Sequence, residues 1–163
     1  MRLALTFAAA VLITTSLSAE VTFKRVWPGY RTAASFVRLG EYFGAAEKPI
    51  TDAVLRSTPT AREGYYWLVR SAADMPAPGA EFTLEYVLPG AETTARRTFP
   101  ATIPSGSHTT MVGLTGGDWP DAATRPVAWR LTLHDASGAV LAQDQSFLWR
   151  NDLPPILALD SNR

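Results

Sequence analysis

The sequence predicts an all-β protein, a single antiparallel two-layer β-sandwich of seven or eight strands. Three observations predict this fold. Apolar and polar residues alternate in run after run, which is the pattern of half-buried strands. Pro, Gly and Asp residues separate these runs, as they do at turns. The chain of 163 residues suits one domain, and almost no stretch has the period of an amphipathic helix.

The predicted strands follow one another at short intervals. They cover residues 21–27, 35–43, 65–71, 81–88, 95–103, 109–115, 127–134 and 140–149. Segment 51–56 lies between Pro49 and Pro59 and fits either one helical turn or a further short strand. Short strands separated by turn residues are typical of two packed sheets.

The alternation also assigns side chains to faces. Strand 21–27 is predicted to end at Pro28-Gly29, and every second residue would share one face: Val21, Phe23, Arg25 and Trp27. Strand 127–134 is predicted to place Trp129 in the core. Trp129 would pack there against strand 65–71, whose bulky residues on both faces suit the middle of a sheet.

Residues 1–19 have the features of a secretory signal peptide. Arg2 gives a positive start, residues 3–17 are mostly apolar, and Ser18-Ala19 supplies the small residues at a cleavage site. We expect cleavage after Ala19, or alternatively after Ser18. An uncleaved anchor is the rival interpretation, but the apolar run is shorter than the roughly 20 residues that span a bilayer. The expected location is therefore periplasmic or extracellular, without membrane insertion after signal removal.

The remaining chain is predicted to form a sandwich domain over residues 20–150 and an extended C-terminal tail over residues 151–163. Pro154-Pro155 favours an extended tail. With no cysteine in the chain, packing rather than disulfides has to stabilise the domain.

The charge distribution argues against nucleic acid as a partner. Removing the signal takes Arg2 away and leaves 14 basic against 15 acidic residues, a net charge of −1. There is also no run of Lys or Arg, so the electrostatic footprint of a protein that binds polyanions is missing.

Few residues could carry catalysis or bind a metal. A hydrolase would have to work through His108 and Asp118, with Ser107 as the nucleophile. Asp118 and Asp121 lie in a Gly-rich loop that could offer oxygens to calcium, although Gly and Asp also suit a tight loop for backbone reasons. We expect no catalytic residues, no metal site and no cofactor.

Two aromatic residues fall outside the cores of the predicted strands. Trp119 lies in a loop before Pro120, and Tyr30 follows Pro28-Gly29. Loops at the end of a sandwich commonly carry binding functions, and an exposed ring could stack on a sugar or fill a partner's pocket. Alternatively, Trp119 folds back and closes the end of the sandwich.

Three segments resemble a group of small exported bacterial proteins without assigned function. They are FKRVWPGYR at 23–31, GYYWLVR at 64–70 and GLTGGDWP at 113–120. The resemblance implies an immunoglobulin-like sandwich and supplies no catalytic residue. In architecture the chain is also similar to immunoglobulin and fibronectin type III domains, although it lacks the cysteine pair of antibody domains.

The leading hypothesis for function is an exported, non-enzymatic binding or assembly module. It would contact a protein partner in the cell envelope through end loops or an edge strand. One alternative is a carbohydrate-binding module that stacks a glycan on Trp119 or Tyr30. The candidate binding residues are Trp119, Tyr30, Asp118 and Asp121. The other alternative is the hydrolase that works through His108 and Asp118.

Signal removal can be tested directly. Intact-mass analysis of protein recovered from an exporting host is expected to show a chain that starts at Glu20 or Ala19, because Ser18-Ala19 supplies the small residues that signal peptidase requires. Recovery of the chain in the membrane fraction with Met1 retained would contradict this assignment.

Overall fold

The computed structural model describes residues 19–36 and 53–149, which form a β-sandwich of two four-stranded sheets. The all-β sandwich predicted from the alternation is therefore confirmed. Its strands are β1 (Val21–Arg31), β2 (Ala53–Arg56), β3 (Gly64–Ala73), β4 (Ala77–Val87), β5 (Ala95–Ile103), β6 (Gly106–Thr115), β7 (Ala128–His134) and β8 (Val140–Gln145). Two short 3-10 turns, Ala33–Phe36 and Gly116–Asp118, are the only helical elements in these residues.

The two sheets have different strand orders. Sheet A runs β1-β3-β6-β2 and sheet B runs β5-β4-β7-β8. Adjacent strands are antiparallel except for β2, which pairs with β6 in parallel. The prediction of an antiparallel sandwich is thus right for all but one pair. None of the described residues belongs to a helix long and apolar enough to cross a membrane.

Strand β1 departs from the predicted alternation. The register against β3 shifts between Phe23 and Arg25, which inserts one extra residue as a β-bulge. After the bulge, Val26 and Tyr30 lie opposite core residues of β3. Trp27 is consequently 37% exposed, so the prediction that it shares a face with Val21 and Phe23 is wrong.

The same strand continues through Pro28-Gly29 to Arg31, although these residues were predicted to end it. A proline has no backbone N–H and is tolerated where that position faces away from the neighbouring strand. Strand β1 lies at the edge of sheet A and has only β3 as a neighbour. Pro28 can therefore pair with Trp67 without removing a hydrogen bond to a second strand.

Two further boundaries differ from the prediction, and one open alternative is decided. Residues 33–36 form a 3-10 turn where strand 35–43 was expected to begin, and residues 37–43 lie outside the described residues. Segment 51–56 contributes a short strand, the second of its two predicted possibilities. The last strand ends at Gln145 instead of Trp149, because the Ser146 side chain accepts the Trp129 N–H at 3.0 Å and the chain then turns.

The signal peptide predicted for residues 1–19 lies outside the described residues except for Ala19. The tail predicted for residues 151–163 also lies outside them.

The core lies between the facing sides of the two sheets, with β3 and β6 on one side and β4 and β7 on the other. Its largest fully buried apolar side chains are Trp67, Phe82, Leu84, Ile103, Leu114, Leu131, Leu133, Val69 and Val112.

Two predictions about the middle of the sheets are confirmed. Trp129 is 8% exposed and meets Trp67 of β3 edge to face, with the ring centroids 6.3 Å apart. Strand β3 also carries a buried residue on its outer face, because Tyr66 packs against Phe36 at 5.0 Å. The Tyr66 ring also requires glycine at position 113, because a Cβ atom added there would lie 2.2 Å from the Cε1 atom of Tyr66.

Candidate functional site

The residues singled out for binding gather at one end of the sandwich. Tyr30 pairs with Tyr65 near the end of β1, and Trp119, Asp118 and Asp121 follow the end of β6. The structure therefore brings the four predicted site residues into one region. Their individual surroundings decide what each of them can do.

Trp119 is buried and only 4% exposed. Its ring stacks on Tyr65 with centroids 4.5 Å apart, and it contacts Trp67 and Tyr86 at 6.3 Å and 6.2 Å. Gly116 has a φ of +60°, which turns the chain back after β6. The prediction that Trp119 offers an exposed ring to a sugar is wrong, and the alternative, in which it closes the end of the sandwich, is confirmed.

Five aromatic side chains form what we call the aromatic plug: Tyr65, Trp67, Tyr86, Trp119 and Trp129. The indole N–H groups of Trp67 and Trp119 are buried without a hydrogen-bond partner, which costs about 1–3 kcal/mol each. Burying one large ring contributes about 4–6 kcal/mol at the usual area coefficient. The net effect of each indole is therefore stabilising.

The two aspartates predicted as binding residues are engaged within the chain. Asp118 forms an ion pair with Arg97 at 3.1 Å. The hydrogen bond with the Ser57 hydroxyl is the largest of the effects on the pKa of Asp118 and lowers it. Arg97 lowers this pKa further, whereas burial raises it. These contacts tie β5 and the segment after β2 to the turn that carries Trp119.

Asp121 caps its own turn. Its carboxylate accepts the backbone N–H groups of Ala123 and Thr124 at 2.7 and 2.8 Å, together with the Thr124 hydroxyl. Hydrogen bonds from Thr124 lower the pKa of Asp121. A calcium ion would have to displace the partners of both Asp118 and Asp121. No group of three or more potential metal ligands occurs in the described ranges.

Tyr30 is half-buried, and its hydroxyl donates a hydrogen bond to the Glu63 carboxylate. That hydrogen bond is the largest of the effects that raise the pKa of Tyr30 to about 12, followed by desolvation and by the charges of Glu63 and Asp121. The Tyr30 hydroxyl thus already has a partner, as do the carboxylates beside it.

The structure separates the residues of the hydrolase alternative. His108 lies near the start of β6 and Asp118 lies after its end, so about seven residues of extended strand, roughly 23 Å, separate them. The Nε2 atom of His108 lies 2.9 Å from the hydroxyl of Ser71, not Ser107, and Ser71 is only 1% exposed. The predicted arrangement of Ser107, His108 and Asp118 is therefore not assembled.

The pairing of Ser71 with His108 could not be found from the sequence. The two residues lie directly opposite each other because β3 and β6 are antiparallel in one particular register. Thirty-seven residues separate them along the chain, and no motif connects them. Only the strand pairing places them together.

The four sheet edges offer a second kind of site. Strand β1 is protected by its bulge and by Pro28, β5 by Pro100, and β2 by having only four residues. Strand β8 lies at the edge of sheet B and its register against β7 shifts between Leu133 and His134, but it contains no proline. Among the edge strands of the described sandwich, it is the one longer than four residues that has no proline.

Apolar side chains accompany the β8 edge. Val140 is 60% exposed, and Phe147 and Leu148, in the turn that follows β8, are 79% and 60% exposed. The Ser146 N–H donates to the Trp129 carbonyl, so by alternation the N–H groups of Gln143 and Gln145 point away from β7. The edge thus presents both backbone hydrogen-bonding groups and apolar surface.

The closure by Trp119 predicts a large loss of stability in Trp119→Ala. Removing a buried large ring typically costs about 3–5 kcal/mol through lost burial and a residual cavity. Trp27→Ala is the matched control, because Trp27 is 37% exposed and its truncation is expected to cost much less. Urea unfolding midpoints measure both, and equal losses in the two variants would contradict the buried position of Trp119.

The contact between Tyr30 and Glu63 predicts a pH dependence at alkaline pH. A pKa raised from 10 to about 12 in the folded protein contributes stability that is complete below pH 10 and is lost as the pH rises through 12. Tyr30→Phe is therefore expected to make stability decline less steeply over this range.

Glu63→Gln tests the cause of that shift. The amide keeps a hydrogen-bond acceptor but removes the negative charge, so the pKa of Tyr30 is expected to fall towards 10. Ultraviolet absorbance of the phenolate during alkaline titration measures the change. A titration curve identical to that of the unchanged protein would show that the negative charge of Glu63 does not contribute to the raised pKa of Tyr30.

Comparison with known proteins gives no family to which this architecture can be assigned. The sequence matches no protein-family model and no curated protein. The resemblance to small exported bacterial sandwich proteins consequently stays a prediction.

Proposed function

We propose that this protein is an exported, non-enzymatic binding module that takes an extended segment of a protein partner at the β8 edge. The observation that carries the proposal is the proline-free edge of β8 with three exposed apolar side chains in it or beside it. A partner segment added as a fifth strand of sheet B would pair with the outward backbone groups of Gln143 and Gln145. It would replace the Asp144 carboxylate, which accepts the Gln145 N–H at 2.8 Å. It would also cover part of the apolar surface.

The distribution of exposed apolar residues supports β8 over the other edges. Of the five large hydrophobic side chains exposed in the described part of the chain, three lie in β8 or in the turn after it. Strand β1, which comes close to β8, belongs to the other sheet and does not pair with it. The end loops support binding less, because Trp119, Asp118 and Asp121 are engaged within the sandwich.

We also propose that the sandwich is of the immunoglobulin or fibronectin type III kind. Its connections support this: β4-β5 and β7-β8 are hairpins within sheet B, while the chain crosses between sheets after β3, β5 and β6. A central buried tryptophan, here Trp67, is a further shared feature. The parallel strand β2 and the absence of cysteine are departures from that pattern.

Photo-crosslinking tests the β8 proposal. A photo-reactive residue is placed at the position of Val140 or Leu148, with the position of Thr102 at the β5 edge as the control. The tagged protein is irradiated in the envelope fraction of the cells that produce it. A discrete cross-linked protein is expected from positions 140 and 148 and not from position 102.

Gln145→Pro makes the test specific for strand addition. It removes an outward N–H whose partner is the neighbouring Asp144 carboxylate and breaks no bond to β7, so the fold is expected to survive. Gln145→Ala keeps that N–H. Cross-linking should disappear in Gln145→Pro and persist in Gln145→Ala. Equal yields in both variants, or equal yields at the two edges, would contradict the proposal.

A further inference from the structure

The outer face of sheet B carries polar side chains from all four of its strands. The strand register places one row across the sheet: Thr98, Thr83, Thr132 and Gln143. The row on one side holds Pro100, Glu81, His134 and Val140, and the row on the other side holds Arg96, Glu85, Arg130 and Gln145. Short threonines between mostly longer side chains create a depression with a floor of threonine side chains, which we call the threonine groove.

Two adjoining cavities lie along the threonine groove. Their volumes are about 390 Å³ and 260 Å³, and both are lined by Thr83, Arg96 and His134. Cavities of this size can hold a small ligand or a few units of a chain. The three shared residues mark the middle of the groove.

The Thr83 side chain is the clearest sign of a missing partner. Thr83 is 4% exposed, and its Oγ1 atom is buried without a hydrogen bond. The neighbouring Thr132 hydroxyl, by contrast, donates to the Gln143 amide oxygen at 3.4 Å. Buried polar groups nearly always have a partner, so the Thr83 hydroxyl requires an explanation, which a bound ligand would supply.

The charged side chains beside Thr83 balance one another. Arg130 is held by Glu85 at 2.6 Å and lies over the Trp149 ring at 5.1 Å. Arg96 and Glu81 side chains form no hydrogen bond or ion pair with any described residue. They therefore leave one strong donor and one strong acceptor available in the groove.

His134 adds a second acceptor. Its Nδ1 atom lies 3.1 Å from the Gly138 carbonyl oxygen, and a carbonyl can only accept a hydrogen bond. Nδ1 therefore carries the proton in the neutral imidazole, which leaves Nε2 as an acceptor. The groove thus combines a hydroxyl, a guanidinium, a carboxylate and an imidazole acceptor in one place.

We propose that the threonine groove binds a neutral oligosaccharide. An acidic ligand would meet Glu81 and Glu85, and a cationic one would meet Arg96 and Arg130. Asp135 also lines one of the cavities, but its carboxylate already accepts the N–H groups of Ser137 and Ala139. Sugar hydroxyls each donate and accept, so they suit a surface that offers donors, acceptors and charges of both signs together.

The groove reaches the β8 edge at Val140 and Gln143, but its central side chains, Thr83, Arg96 and His134, lie on β4, β5 and β7. The proposal therefore does not depend on strand addition at β8.

An extended peptide fits the groove less well. Peptides that pair with a sheet need an open edge, but β4 and β7, which form the middle of the groove, each have a neighbouring strand on both sides. The three rows also provide only Pro100 and Val140 as apolar contacts. A peptide would therefore gain neither main-chain pairing nor a buried anchor.

Titration with defined oligosaccharides tests the proposal. The probes are neutral hexasaccharides of glucose, mannose, xylose and N-acetylglucosamine at millimolar concentration, with an oligogalacturonate as the acidic comparison and an extended hexapeptide as the peptide comparison. Amide chemical shifts of the purified protein report where a probe binds. At least one neutral hexasaccharide is expected to shift the amides of β4 and β7 around Thr83.

Thr83→Val removes the hydroxyl and keeps the shape of the side chain. It is expected to weaken binding by about tenfold, while stability stays the same or rises because an unpaired buried hydroxyl is lost. Arg96→Gln should also weaken binding. Thr22→Val, at an exposed threonine of β1 in the other sheet, is the matched control and should leave binding unchanged.

Four results would overturn the proposal. They are no binding of any neutral hexasaccharide, binding of only the acidic oligosaccharide, binding of only the peptide, and binding that neither Thr83→Val nor Arg96→Gln weakens. The β8 test removes a backbone N–H at position 145 and is read by cross-linking, whereas this test changes the side chains of Thr83 and Arg96 on β4 and β5 and is read by oligosaccharide binding. Failure of one proposal therefore leaves the other standing.

Discussion

The burial of Trp67 between the two sheets is the interaction on which the rest of the structure depends. Its side chain is fully buried in β3 and contacts Tyr65, Trp119 and Trp129. It therefore joins the middle of sheet A, the inner face of sheet B and the turn after β6 in one aromatic cluster. In a chain without cysteine, packing of this kind takes the place that disulfides hold in many exported domains.

This packing determines which parts of the molecule are free to bind. At the end of the sandwich near Trp119, the aromatic plug fills the space between the sheets, and ion pairs and turn caps occupy Asp118 and Asp121. Groups that have partners inside the domain would have to break those contacts to bind a ligand. Exposed apolar side chains occur instead at the β8 edge of sheet B, and the Thr83 hydroxyl in the threonine groove has no partner among the described residues.

The outer faces of the two sheets differ in how far they are covered by other residues. In sheet A, the outer face around Tyr66 is covered by Phe36, so part of it belongs to the packed interior. In sheet B, the outer face consists largely of polar residues, and the Glu85-Arg130 pair crosses from β4 to β7. Polar side chains on a half-buried sheet remain available to solvent or to a ligand.

The sequence by itself determined where most of the strands lie, because a period of two can be read locally from each run of residues. Strand 95–103 has the predicted bounds, and Trp129 lies in the core as its register required. The exposure of individual side chains and their long-range contacts depend on neighbouring strands and turns, so only the tertiary structure decided them. The bulge in β1 exposed Trp27, the turn at Gly116 buried Trp119, and the pairing of β3 with β6 joined Ser71 to His108. The threonine groove is likewise a property of register, because residues far apart in the chain become neighbours only when four strands are aligned side by side.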